Sequence, residues 1–356
     1  MAKKRQMVIL AQGNFSPLRS KTANGAIVYL RDEVVGVIDS TKAGKTAQEV
    51  LGYGDDIPVF RNLEESLRSG SASSQKPNTL LIGIAPAGGR LPESWRSILK
   101  TAIKNRLNII SGLHTFISND VELVKLAKKY RVRISDLRKI PKSHEVVARG
   151  TWKTRRAKTV LSIGSDCNVG KMTTTLQVHK EFLHRGLKSD FVATGQTGIL
   201  IRGRGIAVDS IISDYVAGCI ELEIDRSDRE GYDYILVEGQ GALTHMGYSG
   251  VTLGLMHGVL PDAMVLCHQP TRLKDDYGFE IPDLKKLIDI HEQVVNVFKP
   301  SRVVCIGLNS LGLTDKQSTQ AAEAIEQETG LPTTDTFRFG GKKLADALLN
   351  YFSNSD

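Results

Sequence analysis

The stretch LSIGSDCNVGKMTTT (161–175) joins an apolar run to a glycine-bounded polar loop, then Gly-Lys and three threonines. Glycines let such a loop turn sharply and aim backbone N–H groups inward, and the start of the following helix adds its positive dipole end. Lys171 brings a full charge to the same place. The loop residues Gly164, Ser165, Asp166, Asn168, Val169, Gly170, Lys171, Met172, Thr173 and Thr174 are therefore expected to cradle the phosphates of a cofactor. Two details depart from the usual phosphate loop: five residues rather than four separate Gly164 from Gly170, and Met172 stands where a hydroxyl normally holds Mg²⁺. A thioether is a poor ligand for that hard cation, which argues for a phosphorylated cofactor that needs no metal, although a water-held Mg²⁺ stays open.

Other polar residues stand at the ends of apolar runs. Glu238 closes YILVEG (234–239) beside two glycines, Gly239 and Gly241, as a metal ligand or as a carboxylate that orients or deprotonates an attacking ammonium. Gln240 and His245 follow in the same loop. His268 closes AMVLCHQ (263–269), where an imidazole that titrates near neutrality suits a general base, with Arg272 close behind and Cys267 turned into the packing. Gln196 and Thr197 follow SDFVATG (189–195); Arg202 and Arg204, set among glycines, offer bidentate donors for a dicarboxylate. Asp209 begins an apolar helix, as its cap or as a second metal ligand. His257, in the glycine-rich TLGLMHG, is a weaker candidate. KAGKT (42–46) repeats Gly-Lys-Thr but has no glycine at the right distance upstream, so it reads as structural.

The elements that must position these residues alternate. Apolar runs at AIVYL (26–30), VVGVID (34–39), IPVF (57–60), TLLIGI (79–84) and LNIISGL (107–113) read as strands, with helices between them. One helix, entered through Ser40 or Thr41, ends near Gly52; another buries Trp95, Ile98, Leu99 and Ile103 on one face. Across 131–158 the apolar period fades and charge rises, which places a domain boundary near 150, giving domains 1–150 and 151–356. Beyond it, TVLSIG (159–164), the three runs quoted above, RVVCIGLN (302–309) and TTDTFRF (333–339) make six strands of a second sheet. The helix after the phosphate loop carries Met172, Leu176, His179 and Leu183 along one side and stops at Gly186. Continuous apolar strands alternating with helices define an α/β chain of two doubly wound parallel-sheet domains.

With 356 residues, 41% hydrophobic and 24% charged, the chain has ample material for two cores. A formal charge of +8 suits phosphorylated cofactors and carboxylate substrates, and the absence of an aromatic-interleaved basic motif argues against nucleic acid. The four cysteines are far apart with no CxxC, which fits reduced thiols. The apolar run MVIL after the basic start is too short for a signal peptide, and nowhere do 18 apolar residues run together, so a cytoplasmic protein without membrane contact is expected. Its size and fold class suggest a homo-oligomer, a dimer in particular.

The phosphate loop, YILVEGQGAL and VVCIGLN resemble the nucleotide-binding motifs of dethiobiotin synthetases, in which Asn309 would contact the base. A wider resemblance runs through DSTKAGKTAQEV, LLIGIAPAGGRLP, SGLHTF, GSDCNVGKMTTT, ATGQTGILI and GVTLGLMHG with PDAMVLCHQP, in that order. These blocks resemble the DgcN-type family of D-glutamate N-acetyltransferases. The resemblance implies a Rossmann-like N-terminal domain, a C-terminal domain like those of P-loop NTPases, and acetyl transfer from acetyl-CoA to the amine of D-glutamate or a similar amino acid. On that reading Glu238, His268 and His245 are catalytic, and Gln196, Thr197, Arg202, Arg204, Gln240 and Arg272 contact substrate. The alternative is an ATP- and Mg²⁺-dependent carboxylate-activating enzyme, with Asp209 and Glu238 on the metal.

Overall fold

A computed structural model describes residues 4–72, 76–84, 86 and 89–354. It divides into two compact units, one running up to Lys139 and including Ile199–Gly203, the other made of Ile140–Gly198 and the chain from Arg204 onward.

In the first unit, β1 (Met7–Leu10), β2 (Val34–Ile38), β3 (Val59–Phe60), β4 (Thr79–Ile82), β5 (Asn108–Ser111) and β6 (Ile134–Asp136) form a parallel sheet. Their order, β3-β2-β1-β4-β5-β6, is that of Rossmann-type folds. MVIL, a short apolar run in the sequence, is the central strand β1 and is fully buried. AIVYL is not a strand: it completes helix α1 (Lys21–Tyr29), where Ala23, Ala26 and Ile27 bury one helical face. Packing on the sheet here overrides the β-branched character of the run.

Helix α2 (Ala47–Leu51) starts later than Ser40 or Thr41. Thr41 instead bonds the buried Asp39 carboxylate at 2.7 Å, and Thr46 caps the helix by accepting the Glu49 N–H in a reciprocal capping box. The Gly-Lys-Thr of KAGKT is thus a helix entrance, and Gly52 ends the helix as expected. Helices α3 (Leu63–Ala72), α4 (Glu93–Lys104) and α5 (Val121–Tyr130) complete the unit. In α4, Trp95, Leu99 and Ile103 are buried and Ile98 packs against them.

In the second unit, β7 (Lys158–Gly164), β8 (Ser189–Val192), β9 (Tyr234–Val237), β10 (Ala263–His268), β11 (Arg302–Leu308) and β12 (Thr333–Asp335) are parallel, in the order β12-β11-β10-β7-β9-β8. The helices are α6 (Lys171–His184), α7 (Gln196–Arg202), of which Ile199 onward is grouped with the first unit, α8 (Ser213–Arg229), α9 (Ser249–Val259), α10 (Leu284–Asn296), α11 (Asp315–Thr329), α12 (Thr336–Phe339) and α13 (Lys342–Ser353). Alternation along β7 feeds two cores. Val160 joins Val178 and Phe182 of α6, whereas Leu161 and Ile163 join Ile220 and Ile224 of α8.

Three local expectations change. The strand expected over 333–339 stops at Asp335, whose carboxylate accepts the amides of Phe337 and Arg338 and so starts α12. In α6 the buried face passes through Met172, Leu176 and Phe182, and Leu183 is exposed. Asp209 does not open a helix; it is exposed in the 3₁₀ turn Val208–Ser210, and α8 begins beyond it.

His291, on α10, is fully buried, and burial pushes its pKa down to about 4. The unfolded chain takes up a proton near the ordinary value of about 6.5. Stability is therefore complete above that pH and falls as pH drops toward 4, by about 1.4 kcal/mol per unit and about 3 kcal/mol in all. Denaturant unfolding at pH 7 and pH 4.5 should show this loss, and His291→Gln should show a smaller one; identical pH dependence in both would remove His291 as its source.

Candidate active site at the carboxyl edge of the second sheet

β7 sits between β10 and β9, and consecutive strands leave it toward opposite edges, so a crevice opens beyond its carboxyl end. The loop from Gly164 to Gly170 fills that position. Asn168 is left-handed (φ 57°), and Gly170 at φ 101° takes a conformation that disfavours a side chain just before α6. The backbone amides of Val169, Gly170, Met172 and Thr173 have no acceptor among the described residues. Lys171 is 7% exposed, and its Nζ donates to the Asp166 carbonyl at 2.8 Å, folding the charge back over the loop. A ring of unanswered N–H groups around a buried ammonium is an anion cradle.

The loop is braced from its neighbours. The Asn309 amide donates weakly to the Asn168 carbonyl (3.4 Å), and its oxygen accepts the Leu311 N–H. Asn309 thus works within the protein, beside the base contact expected of it. Arg272 Nη1 donates to both the buried Asp166 carboxylate and the Cys167 carbonyl at 2.8 Å. Thr174 faces Thr336 at 3.3 Å and packs on Gly307, so its hydroxyl is engaged within the protein. Ser165 shares a 2.9 Å bond with His268 Nδ1.

Glu238 lies one residue beyond β9 and is 2% exposed. Its Oε2 accepts the Thr194 and Gly195 amides at 3.0 and 3.3 Å, and its Oε1 accepts from Gln240 at 3.1 Å. Gln240 is therefore a positioner of Glu238. Gly239 passes so close to β7 that an added Cβ would lie 1.7 Å from the Ser162 carbonyl oxygen. Ser162 Oγ accepts both the Gly239 amide and the Thr175 hydroxyl at 2.9 Å, tying the acid loop to α6. Sequence reading missed Ser162, although a lone serine in an apolar strand marks a polar contact across the sheet.

Other expected residues land differently. Burial pushes the His268 pKa down to about 4, so it does not titrate in the range a general base near neutrality needs. Burial likewise pushes Cys267 up to about 11, in keeping with packing. Arg204 is committed to Asp190 (2.9 Å) and Glu230 (2.6 Å), away from any free carboxylate role. Gln196 and the buried Thr197 open α7, near the Thr194–Gly195 turn that holds Glu238, whereas Arg202 falls in the segment grouped with the first unit. His257 is exposed and meets Phe298 edge-on.

Among the described residues, the only group of three or more side chains able to share a metal ion is Asp166, Cys167 and His245, within 4.8 Å of one another. It includes neither Asp209 nor the anchored Glu238. Nor does His245 suit it: its Nδ1 accepts the Gly247 amide at 3.1 Å, which leaves the ring hydrogen on Nε2, the nitrogen facing Asp166. All four cysteines lie outside disulfides, and no helix among the described residues is long and apolar enough to cross a membrane.

A parallel sheet with this cradle at its switch point, and an anchored acid on the next strand, defines a P-loop-type α/β protein. The chain belongs to the DUF1611 family. Residues 146–345 match that family's C-terminal P-loop domain, described as a domain of unknown function, and residues 40–140 match its N-terminal Rossmann-like domain. A protein from Tritonibacter scottomollicae named D-glutamate N-acetyltransferase is 36% identical over 334 residues, 93% of this chain and 94% of the relative. A second so named, from a Pseudoalteromonas species, is 36% identical over 267 residues, 74% of this chain and 78% of the relative. The crystal structure of a DUF1611 family protein from Anabaena variabilis superposes with a TM-score of 0.90 at 34% identity, covering 97% of this chain and 99% of that one.

Proposed function

We propose that the chain transfers the acetyl group of acetyl-CoA to the amine of D-glutamate. The observation that carries this reading is the 36% identity, over nearly the whole chain, to a relative named for that activity. The cradle supports it, since coenzyme A carries a diphosphate and acyl transfer needs no metal, which agrees with Met172 in place of a hydroxyl.

In the reaction the substrate nitrogen attacks the thioester carbon; the N–C bond forms, the C–S bond breaks, and coenzyme A leaves as the thiol. The attacking ammonium must first lose a proton, a task that fits the Glu238 carboxylate at the strand end. Arg272 fits a substrate carboxylate, because among the described residues only its Nη1 is engaged. An enzyme drawing on acetyl-CoA and a free amino acid belongs in the cytoplasm.

The test is incubation with acetyl-CoA and D-glutamate or L-glutamate, reading free thiol and acetylated product by mass spectrometry. Thiol release with acetyl-D-glutamate is expected; no release with any amino acid would overturn the reading. Mg²⁺-dependent ATP binding tighter than CoA binding would favour a carboxylate-activating enzyme instead, the reading that the phosphate loop alone motivates.

A further inference from the structure

The two ring nitrogens of His245 are in different circumstances. Nδ1 accepts the Gly247 amide, so the ring's hydrogen is on Nε2. Nε2 is buried without a hydrogen-bond partner among the described residues, and the residue is 2% exposed. Asp166 Oδ1, on the phosphate loop, is 3.9 Å away, beyond hydrogen-bonding range. The ring cannot swing to find another acceptor: Tyr248 stacks on it at 4.8 Å and Tyr277 meets it edge-on at 5.3 Å. Buried donors are almost always answered, and this one is held facing the loop.

We infer that His245 is a hydrogen-bond donor to an acceptor oxygen of the ligand bound against this loop, either the acyl carbonyl oxygen or a cofactor phosphate oxygen. The inference rests on the acetyl-transfer reading for the identity of that ligand. It assigns His245 the role of electrophile, since Nε2 has no lone pair with which to take a proton. Asp166 does not repel such an oxygen as a bare carboxylate would, because Arg272 neutralises it at 2.8 Å.

Two measurements test this. In the full chain with ¹⁵N-labelled histidine, at neutral pH and without ligand, the ring shifts of His245 should report hydrogen on Nε2 alone. Hydrogen on Nδ1, or on both nitrogens, overturns the inference whatever the enzyme does. Calorimetric CoA affinity and acetyl-transfer rates are then compared for His245→Phe and His245→Gln, with melting curves as the check on folding. If the oxygen is the acyl carbonyl, Phe should lower kcat by about 10²–10³ at unchanged CoA affinity. A phosphate oxygen would instead weaken CoA binding by about 10–100-fold. In either case Gln, which keeps an N–H donor, should recover most of the loss. No loss in Phe, or equal loss in Gln and Phe when both fold, overturns the inference. If the wild-type chain transfers no acetyl group at all, the functional reading fails, while the ring shifts and CoA affinities still decide the role of His245.

Discussion

Lys171→Ala should weaken CoA binding by about one to two orders of magnitude, because a charge-assisted contact to phosphate contributes about 1.5–3 kcal/mol. Stability should change little, for two opposing reasons. The variant loses the Nζ bond to the Asp166 carbonyl, about 1 kcal/mol, but relieves a cation at the start of α6, where the helix dipole disfavours it. Calorimetry with CoA, beside a melting curve, checks both. Unchanged affinity for CoA and ATP alike would reduce the loop to a turn and remove the basis of the cofactor assignment. Met172→Thr sharpens the result: it should leave CoA affinity nearly intact, whereas a new gain in Mg²⁺-dependent ATP affinity would speak for the ligase reading.

Glu238→Gln should lower kcat for acetyl transfer by about 10²–10⁴, the range for loss of a positioned base, with CoA affinity held. The carboxylate is held in place for that work by three N–H groups, the amides of Thr194 and Gly195 and the side chain of Gln240. The amide variant turns one N–H₂ toward those donors, so its melting curve must accompany the kinetics. Glu238→Asp, which keeps the charge but retracts it, should fall between. A rate within about tenfold of wild type in a folded Gln variant would remove Glu238 from proton transfer.

Much of this arrangement is legible in the residues. Glycine spacing and Gly-Lys after an apolar strand disclose the cradle, and the apolar runs of the second half disclose all six of its strands. What is not legible has particular causes. AIVYL has a strand's composition, but its helical face is set by what it packs on, which no local window contains. His268 looks like a base because a free imidazole titrates near neutrality; only burial, a tertiary fact, moves it. Arg204 looks available until Asp190 and Glu230, 14 and 26 positions away, arrive beside it. The reverse holds for His245, whose tautomer depends on an amide two residues on and whose isolation depends on Tyr277, 32 positions away.

Ser162 joins the acid loop to β7 and α6 through two hydrogen bonds in the buried centre of the sheet. The Gly239 amide, though it follows a strand end in a stretch that by sequence is a loop, therefore cannot meet solvent by local fraying. Its deuterium uptake should be as slow as that of the β7 amides and should track the free energy of unfolding the whole unit. A ligand reaching this cradle would find both of its walls already ordered, and little of its binding energy would go into freezing them.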